Sequence, residues 1–406
     1  MKTLIRTKGL YDGLAEEALF GMDVLVEDGR IVKIEKSGTT TYDAETLDYS
    51  DRPASFVMPG MIDSHLHLAH DGVDKREKND RAPQIAYRLY HNGIRNLLIG
   101  ITTQRDCGTT RHIDVSYKES LRIGLINGPR TLICGQPIIA TAGHCPYMGR
   151  QVDGPIEAMK AVREQLEERV DFIKLMVTGG VSTLTGLPTT PQMTKEEVEA
   201  CVMIAHNNDK MVAVHAEGGI GVKWALDAGI DTLEHGIYLS DEHIAQMAEQ
   251  GTWFVPTLYA IREIGKTGPQ EPVPISQFMA ERCAEAFEFH ADSFKRAYKA
   301  GVKMAGGTDY KQAVLVEEVL LMTSLGMKKS EGLRAITSQA AKMLKLDDQI
   351  GSVEVGKKAD LIIIDGNPLD DIANLRNVRA VMQEGDVVVR DGMLKPRTSY
   401  LHYPIQ

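Results

Sequence analysis

Two histidines, His65 and His67, stand one residue apart in the segment 59–67. On an extended backbone, residues two positions apart point to the same side, so both imidazoles are able to reach one metal ion. Such a pair alone is weak evidence, because histidines are often ordinary surface or core residues. Its place directly after an apolar run strengthens the metal interpretation, since barrels of alternating strands and helices carry their active sites at the C-terminal ends of the strands.

Four further candidate metal ligands lie in or after apolar runs later in the chain: Lys174, His215, His235 and Asp309. Lys174 lies inside the apolar run 171–177, where an unpaired lysine is costly to bury. Each residue alone has an ordinary explanation, but six potential ligands at five predicted strand ends are hard to explain without a metal site. Imidazole and carboxylate suit zinc, and also manganese or iron. Two such ions can share an attacking water and polarise a substrate oxygen, which predicts a hydrolase.

Short apolar runs alternate with amphipathic helical stretches from about residue 57 to residue 346. Counting Val57 and Met58 as the first strand gives eight strands, which predicts a (β/α)8 barrel; a doubly wound sheet is the main alternative. A helix is predicted over 195–207, with Thr194 as its N-cap and Glu197 completing a capping box. The other predicted strands are 101–103, 131–133, 172–177, 212–214, 232–233, 252–255 and 302–305.

Both ends of the chain are rich in predicted β-strands. The runs 23–26 and 31–34 flank the turn 27–30, in which Gly29 is expected to take a positive φ. Near the other end, strands are predicted at 359–365, 380–382 and 386–389. We therefore predict an α/β chain with two parts: a composite β-sandwich formed by residues 1–56 and 349–406, and a catalytic TIM barrel formed by residues 57–348.

The net charge, the apolar runs and the cysteines of the chain limit which binding partners and which cellular location we expect. With 46 basic and 56 acidic residues, the formal net charge of -10 argues against a general nucleic-acid or anionic-membrane surface. No signal peptide is visible, and no run approaches the roughly 20 apolar residues that span a bilayer. Five scattered cysteines suit reduced thiols, so we expect a cytoplasmic protein with a small-molecule substrate. The sequence is compatible with a homo-oligomer and does not decide the oligomeric state.

The motifs PGMIDSHLH, FIKLMVTGG, VHAEG, TLEHG and GGTD, with the tail GSVEVGKKADLIIID, resemble the amidohydrolase superfamily in order and spacing. The resemblance covers nearly the whole chain. It implies two divalent metal ions, with zinc as the first choice: His65, His67 and Asp309 at the more buried ion, and His215 and His235 at the more exposed one. Lys174 is implied to be carbamylated and to bridge both ions. Asp309 is implied to take the proton of the bridging hydroxide and to pass it to the leaving nitrogen.

The resemblance is strongest to the binuclear Xaa-Pro dipeptidases and Xaa-Arg/Lys carboxypeptidases, with imidazolonepropionase-like proteins near by. It is carried by the segments 141–145, 177–182 and 235–238. It implies hydrolysis of an amide such as a dipeptide or an N-acyl amino acid, with His144 and Tyr238 at the substrate. The alternatives are ring opening of a cyclic amide or imidazolone, deamination, or a non-catalytic binding barrel; for His144, the alternative is a loop histidine without a role.

Glu217 departs from the peptidase pattern, which has His or Tyr two positions after the ligand that corresponds to His215. On an extended strand its side chain would point to the same side as His215, towards the substrate. There it would orient a ligand imidazole, pair with a loop cation, or recognise a donor on the substrate such as an amine, a guanidinium or a ring N–H. The loop 184–191 is a second departure, and both leave the substrate open.

Overall fold

The computed structural model describes residues 2–71, 79–183, 186–267 and 277–395. The tail of the predicted β-sandwich, 396–406, and residues 184–185 of the unmatched loop lie outside this range. The strands are β1 (Lys2–Arg6), β2 (Gly9–Leu10), β3 (Leu19–Phe20), β4 (Met22–Glu27), β5 (Arg30–Lys36), β6 (Glu45–Asp48), β7 (Ser55–Pro59), β8 (Met61–Leu66), β9 (Ile101–Asp106), β10 (Arg130–Ile133), β11 (Ile138–Ala140), β12 (Arg150–Val152), β13 (Phe172–Met176), β14 (Met211–Gly218), β15 (Thr232–Tyr238), β16 (Trp253–Val255), β17 (Leu361–Asp365), β18 (Val378–Gln383), β19 (Asp386–Arg390) and β20 (Met393–Leu394). The helices are α1 (Ala82–Leu98), α2 (Ile113–Arg122), α3 (Pro155–Glu167), α4 (Lys195–His206), α5 (Gly219–Asp227), α6 (Asp241–Gln250), α7 (Leu258–Thr267), α8 (Gln277–Lys299), α9 (Leu315–Ser324), α10 (Lys329–Ala335) and α11 (Ser338–Met343).

Strands from both chain ends form two sheets. One has the order β5-β4-β1-β6, and the other has the order β20-β19-β18-β17-β7-β2-β3. The predicted hairpin joins β4 to β5, with Asp28 at φ 49° and Gly29 at φ 80°, the conformation that a two-residue turn of this type requires. Apolar side chains from both sheets, among them Ile5, Val24 and Ile363, share one buried cluster. The β-rich character predicted for the two ends is confirmed.

The prediction that Val57 and Met58 begin the series of parallel strands was wrong. These residues lie in β7, which pairs antiparallel with β17 and parallel with β2. The first parallel strand of the middle region is β8, which pairs with β9. Both β7 and β8 are buried along their whole length, and residues 56–62, which span the junction between them, include no polar side chain to mark where one strand ends.

The middle of the chain is α/β, with parallel sheets. One sheet has the order β10-β9-β8, and the other has the order β12-β11-β13-β14-β15-β16. The segment after α8 lies between two of these strands: Met304 bridges Phe254 in parallel, and the Ser64 N–H of β8 donates to the carbonyl of Gly306 at 2.9 Å. On the other side, the Asp171 N–H donates to the carbonyl of Ile133 at 2.8 Å. The strand ends that carry the candidate ligands are therefore held at one side of the molecule.

Helix α4 begins where the sequence predicts, at the capping box of Thr194 and Glu197. At the start of α4, the Glu197 N–H donates to Thr194 Oγ1 at 3.3 Å, and the Thr194 N–H donates to Glu197 Oε2 at 2.7 Å. This reciprocal pair satisfies backbone donors that the first turn of a helix leaves open. The predicted capping box is thus confirmed.

Within the described ranges, we find no helix that is both long and apolar enough to pass through a membrane.

Candidate metal centre

One cavity of about 110 Å³ is lined by all of the predicted ligands: His65, His67, Lys174, His215, His235 and Asp309. His65 lies on β8, Lys174 on β13, His215 on β14 and His235 on β15. Because neighbouring parallel strands end at the same edge of their sheet, these side chains converge although the chain separates them widely. The structure therefore brings together the whole set that the sequence proposed, and their binding of metal remains a prediction.

Asp309 lies at the centre of the histidine cluster. Its Oδ1 is 3.5 Å from the Nε2 of both His65 and His67, and its Oδ2 is 3.8 Å from His235 Nδ1. Potential ligand atoms of His65, His235 and Asp309 all lie within 4.8 Å of one another. An imidazole and carboxylate group this compact is typical of a site for a divalent transition metal.

His235 and Asp309 both have a left-handed backbone, with φ values of 72° and 44°. This region is uncommon for residues other than glycine, and strained backbone of this kind is concentrated at active sites and ligand clamps. The Asp309 N–H donates to the carbonyl of His65 at 2.9 Å, which ties the strained residue to β8. The conformation at both residues is held by the surrounding fold and supports a functional role.

Buried polar atoms without partners indicate that the site is built for a further group. The Lys174 side chain is 1% exposed, and its Nζ has no hydrogen-bond partner among the described residues. The same holds for Nε2 of His65. Leaving an ammonium group buried and unpaired is expensive. A carbamate at Lys174 would replace the cation by an anion with two oxygens, so the donor set fits divalent metal ions.

Three of the four candidate histidine ligands, all except His65, have the protonation state that metal binding needs. Burial lowers the pKa of His67 to about 3, and burial lowers the pKa of His215 and His235 well below the usual range. These rings are therefore neutral near pH 7, and a neutral imidazole is the form that binds a metal ion. His215 also donates from Nε2 to the carbonyl of Gly179 at 3.0 Å, which fixes the orientation of its ring.

A buried ion pair behind His65 was not foreseen from the sequence. The Nδ1 of His65 donates to Glu234 Oε2 at 2.6 Å, and Arg105 Nη2 donates to Glu234 Oε1 at 2.8 Å. Arg105 and Glu234 are fully buried. Burial raises the pKa of Glu234, but the charges of Arg105 and His65 outweigh it, so the net shift is downward. The ionised Glu234 orients the His65 ring so that Nε2 faces Asp309.

The residues predicted to contact the substrate lie in different places. His144 and Glu217 line the cavity, and the His144 ring stacks on the His215 ring with centroids 4.3 Å apart and planes 11° apart. Tyr238 is not among the described residues that line the cavity, and its ring packs against Phe289 at 5.4 Å. The role of Tyr238 at the substrate stays a prediction.

The backbone explains the position of Tyr238. His235 and Gly236 have positive φ values of 72° and 55°, and the pairing of β14 with β15 shifts register between Ala216 and Gly218. The regular alternation of side chains is lost there, so the face of the sheet on which residues beyond His235 lie does not follow from their spacing in the sequence.

Other side chains of the cavity had no recognisable signal in the sequence. His70 and Tyr147 line one wall, with Tyr147 Oη 3.4 Å from His70 Nε2. Helices α7 and α8 supply part of the apolar lining: Ala260, Ile261, Ile264 and Met279. In the sequence, these residues are indistinguishable from the core face of any amphipathic helix.

Comparisons with known proteins agree with this arrangement. Residues 56–388 match the amidohydrolase family. The ochratoxinase of Aspergillus niger is 28% identical over 360 residues, which cover 80% of this chain and 73% of that protein. The imidazolonepropionase of Brevibacillus brevis is 26% identical over 396 residues, which cover 87% of this chain and 85% of that protein.

Among solved structures, a Xaa-Pro dipeptidase with methionine bound in its active site superposes with a TM-score of 0.88 at 31% identity. The match covers 95% of this chain and 99% of the dipeptidase. The likeness thus spans both the parallel sheets with the candidate ligands and the sheets built from the chain ends. On the matching region, the shared fold and the converging side chains, this chain is a member of the amidohydrolase family.

Proposed function

We propose that this family member hydrolyses the amide C–N bond of a small molecule such as a dipeptide or an N-acyl amino acid, using two divalent metal ions. The observation that carries the proposal is the convergence of six nitrogen and oxygen side chains on one cavity, with Lys174 buried and unpaired among them. The similarity to a Xaa-Pro dipeptidase and to ochratoxinase supports chemistry at an amide-type bond.

The proposed ligand sets follow the strands. His65, His67 and Asp309 would hold one ion, and His215 and His235 the other. Lys174, as a carbamate, would bridge them. Zinc is the first choice for this mixture of imidazole and carboxylate. When bound, the two ions would lower the pKa of a water molecule and polarise the amide oxygen.

Asp309 is the proposed proton carrier. Its side chain is 28% exposed, whereas its three histidine neighbours are almost fully buried, so it borders the space where substrate would lie. Burial raises the pKa of Asp309, but the charge of the neighbouring His65 outweighs it, and the net shift is well downward. The ionised carboxylate would accept a proton from the attacking water and deliver it to the leaving nitrogen.

The barrel and the domain division are proposals of the same kind. We propose that the two parallel sheets and the segment around Met304 close into a (β/α)8 barrel over residues 57–348. Residues 1–56 and 349–406 would form the composite β-sandwich, with β7 at the boundary. The free cysteines of the described chain and the net charge support a cytoplasmic enzyme that acts on a small molecule and binds neither nucleic acid nor membrane.

A second candidate is ring opening of a cyclic amide or imidazolone, which the similarity to imidazolonepropionase favours. A panel of dipeptides, N-acyl amino acids, cyclic amides, esters and lactones tests both. Release of a new carboxylate together with an amine supports amide hydrolysis, and a carboxylate without a separate amine product supports ring opening. Release of ammonia from an amidine would indicate deamination. Absence of turnover on the whole panel by metal-loaded protein would favour a non-catalytic binding barrel instead.

The metal content is a direct test. Protein purified without chelator should contain close to two divalent ions per chain, because six ligands are available for two sites. Elemental analysis measures this, and His91→Ala, which removes an exposed histidine of α1, should leave the content unchanged. A content that stays near one after addition of zinc and bicarbonate contradicts the binuclear site.

Glu234→Gln should weaken metal binding about ten- to hundredfold, because Gln cannot offer His65 the same carboxylate acceptor. Retained metal after dialysis against graded chelator, with the melting temperature as a check on folding, measures the effect. Glu318→Gln is the matched control, since Glu318 is also fully buried but accepts backbone N–H groups of Leu258 and Tyr259. If Glu234→Gln retains metal as the control does, Glu234 does not position the ligand.

A further inference from the structure

We propose that Glu217 determines substrate specificity by binding a protonated amine of the substrate. The substrate class would then be small amides that carry an amine and an apolar group beside the bond to be cleaved. This inference rests on the proposed amide hydrolysis and adds to it which amides the site selects.

The first observation is the position and hydrogen bonding of Glu217. The residue lies on β14 two positions after His215, lines the same cavity and is only 2% exposed. Its Oε1 accepts the N–H of Val181 at 2.9 Å, whereas its Oε2 is buried and has no hydrogen-bond partner among the described residues. A buried carboxylate oxygen without a donor is costly, so the site is complete only when something in the cavity supplies one.

Two alternative roles for Glu217 are to orient a ligand imidazole and to pair with a loop cation. Neither is supported by a contact among the described residues. The side-chain hydrogen bond of His215 goes to the carbonyl of Gly179, so Glu217 does not orient that ring. The nearby cation Arg282 directs its donors to the carbonyls of Thr183 and Gly186, both at 2.8 Å. Among the ion pairs of the described residues, none includes Glu217. Of the three roles considered for Glu217, substrate recognition is therefore the one that agrees with these contacts.

The apolar half of the proposed substrate follows from the apolar residues that line the same cavity. Val181, whose N–H holds Glu217, belongs to a buried apolar cluster with Ile261 and Ile264 of α7. Both of these isoleucines, together with Met279 of α8, also line the cavity. A ligand that places an amine at Glu217 would therefore have apolar surface next to it, and covering that surface contributes to binding.

The size of the cavity favours a compact amine over a guanidinium. At about 110 Å³ the cavity is small, and an ammonium group is a compact donor with three N–H bonds, whereas a guanidinium is a broad planar fork. A charge-assisted hydrogen bond in a buried site is worth about ten- to hundredfold in binding or in kcat/KM. An analogue without the amine would be rejected by about this factor, because it would offer the buried side chain of Glu217 no charged partner.

The experiment compares L-leucinamide with 4-methylpentanamide, which differ only in the α-amine. We expect the wild-type enzyme to prefer L-leucinamide about ten- to hundredfold in kcat/KM. Glu217→Gln should remove that preference by lowering the value for L-leucinamide alone, with metal content unchanged. Glu288→Gln, the same change at an exposed residue of α8, should behave as wild type.

A loss of equal size on both amides with falling metal content would show that Glu217 supports a ligand, and absence of a preference in the wild type would also overturn the proposal. Calorimetry with L-leucinol and 4-methylpentan-1-ol, which also differ only in the amine, distinguishes a failure of amine recognition from a failure of amide hydrolysis. If L-leucinol binds the wild type more tightly than Glu217→Gln but neither amide is hydrolysed, amide hydrolysis fails and amine recognition stands. If L-leucinol binds both proteins equally, amine recognition fails whatever the turnover.

Discussion

Asp309→Asn is expected to lower kcat by several orders of magnitude in a protein that still folds. Asn keeps the shape of the side chain and one oxygen but cannot accept and return a proton, so the proposed transfer from water to the leaving nitrogen is lost. Asn also tolerates the left-handed backbone found at Asp309, where φ is 44°. The backbone hydrogen bond from Asp309 to the His65 carbonyl does not involve the side chain and should persist.

Steady-state kcat at matched metal content measures this effect, and the melting temperature reports on folding. Asp209→Asn is a suitable control because Asp209 is exposed and also has a positive φ, 56°. The control should keep full activity. A loss of less than about tenfold in Asp309→Asn, equivalent to about 1.4 kcal/mol of barrier, would mean that another group carries the proton.

The convergence of the candidate ligands could be predicted from the sequence because each of them lies in, or just after, an apolar run. His65 lies near the end of the buried strand β8 and His67 directly after it, and His215 follows the apolar residues 211–214 within β14. A parallel arrangement then places such residues at one edge without any knowledge of the loops. The prediction that these residues lie close together depends only on the order of the strands. The wrong assignment of Val57 and Met58 therefore did not affect it.

The contacts that hold the candidate ligands in place could not be predicted from the sequence. Arg105 and Glu234 are charged residues in buried strands, and only their contact in space reveals why both are tolerated. The end of β15 shows a second limit of prediction from the sequence. A positive φ at His235 and at Gly236 turns the chain, and no periodicity in the sequence announces that turn. Predictions by alternation hold for as long as the strand stays regular.

Lys174→Ala should lose the second metal ion and most activity. Nζ of Lys174 lies buried in the cavity without a hydrogen-bond partner in the described chain, and no carboxylate side chain of the described chain is paired with it. As a carbamate, Lys174 would supply an anion shared by both ligand sets, and alanine removes it. One ion would remain on His65, His67 and Asp309, whose mutual contacts do not depend on the lysine.

Elemental analysis and turnover should fall together in this variant, and short carboxylic acids such as formate or acetate should partly restore both by taking the place of the carbamate. Lys195→Ala, at an exposed lysine of α4, controls for effects of the acids on the protein. Nuclear magnetic resonance with ¹³C-labelled bicarbonate adds a readout independent of activity: a carbamate signal is expected in the wild type and in the Lys195 control, and is expected to vanish in Lys174→Ala. Full activity of Lys174→Ala without added acid would rule out the bridging role, because a ligand shared by two ions cannot be dispensable to both.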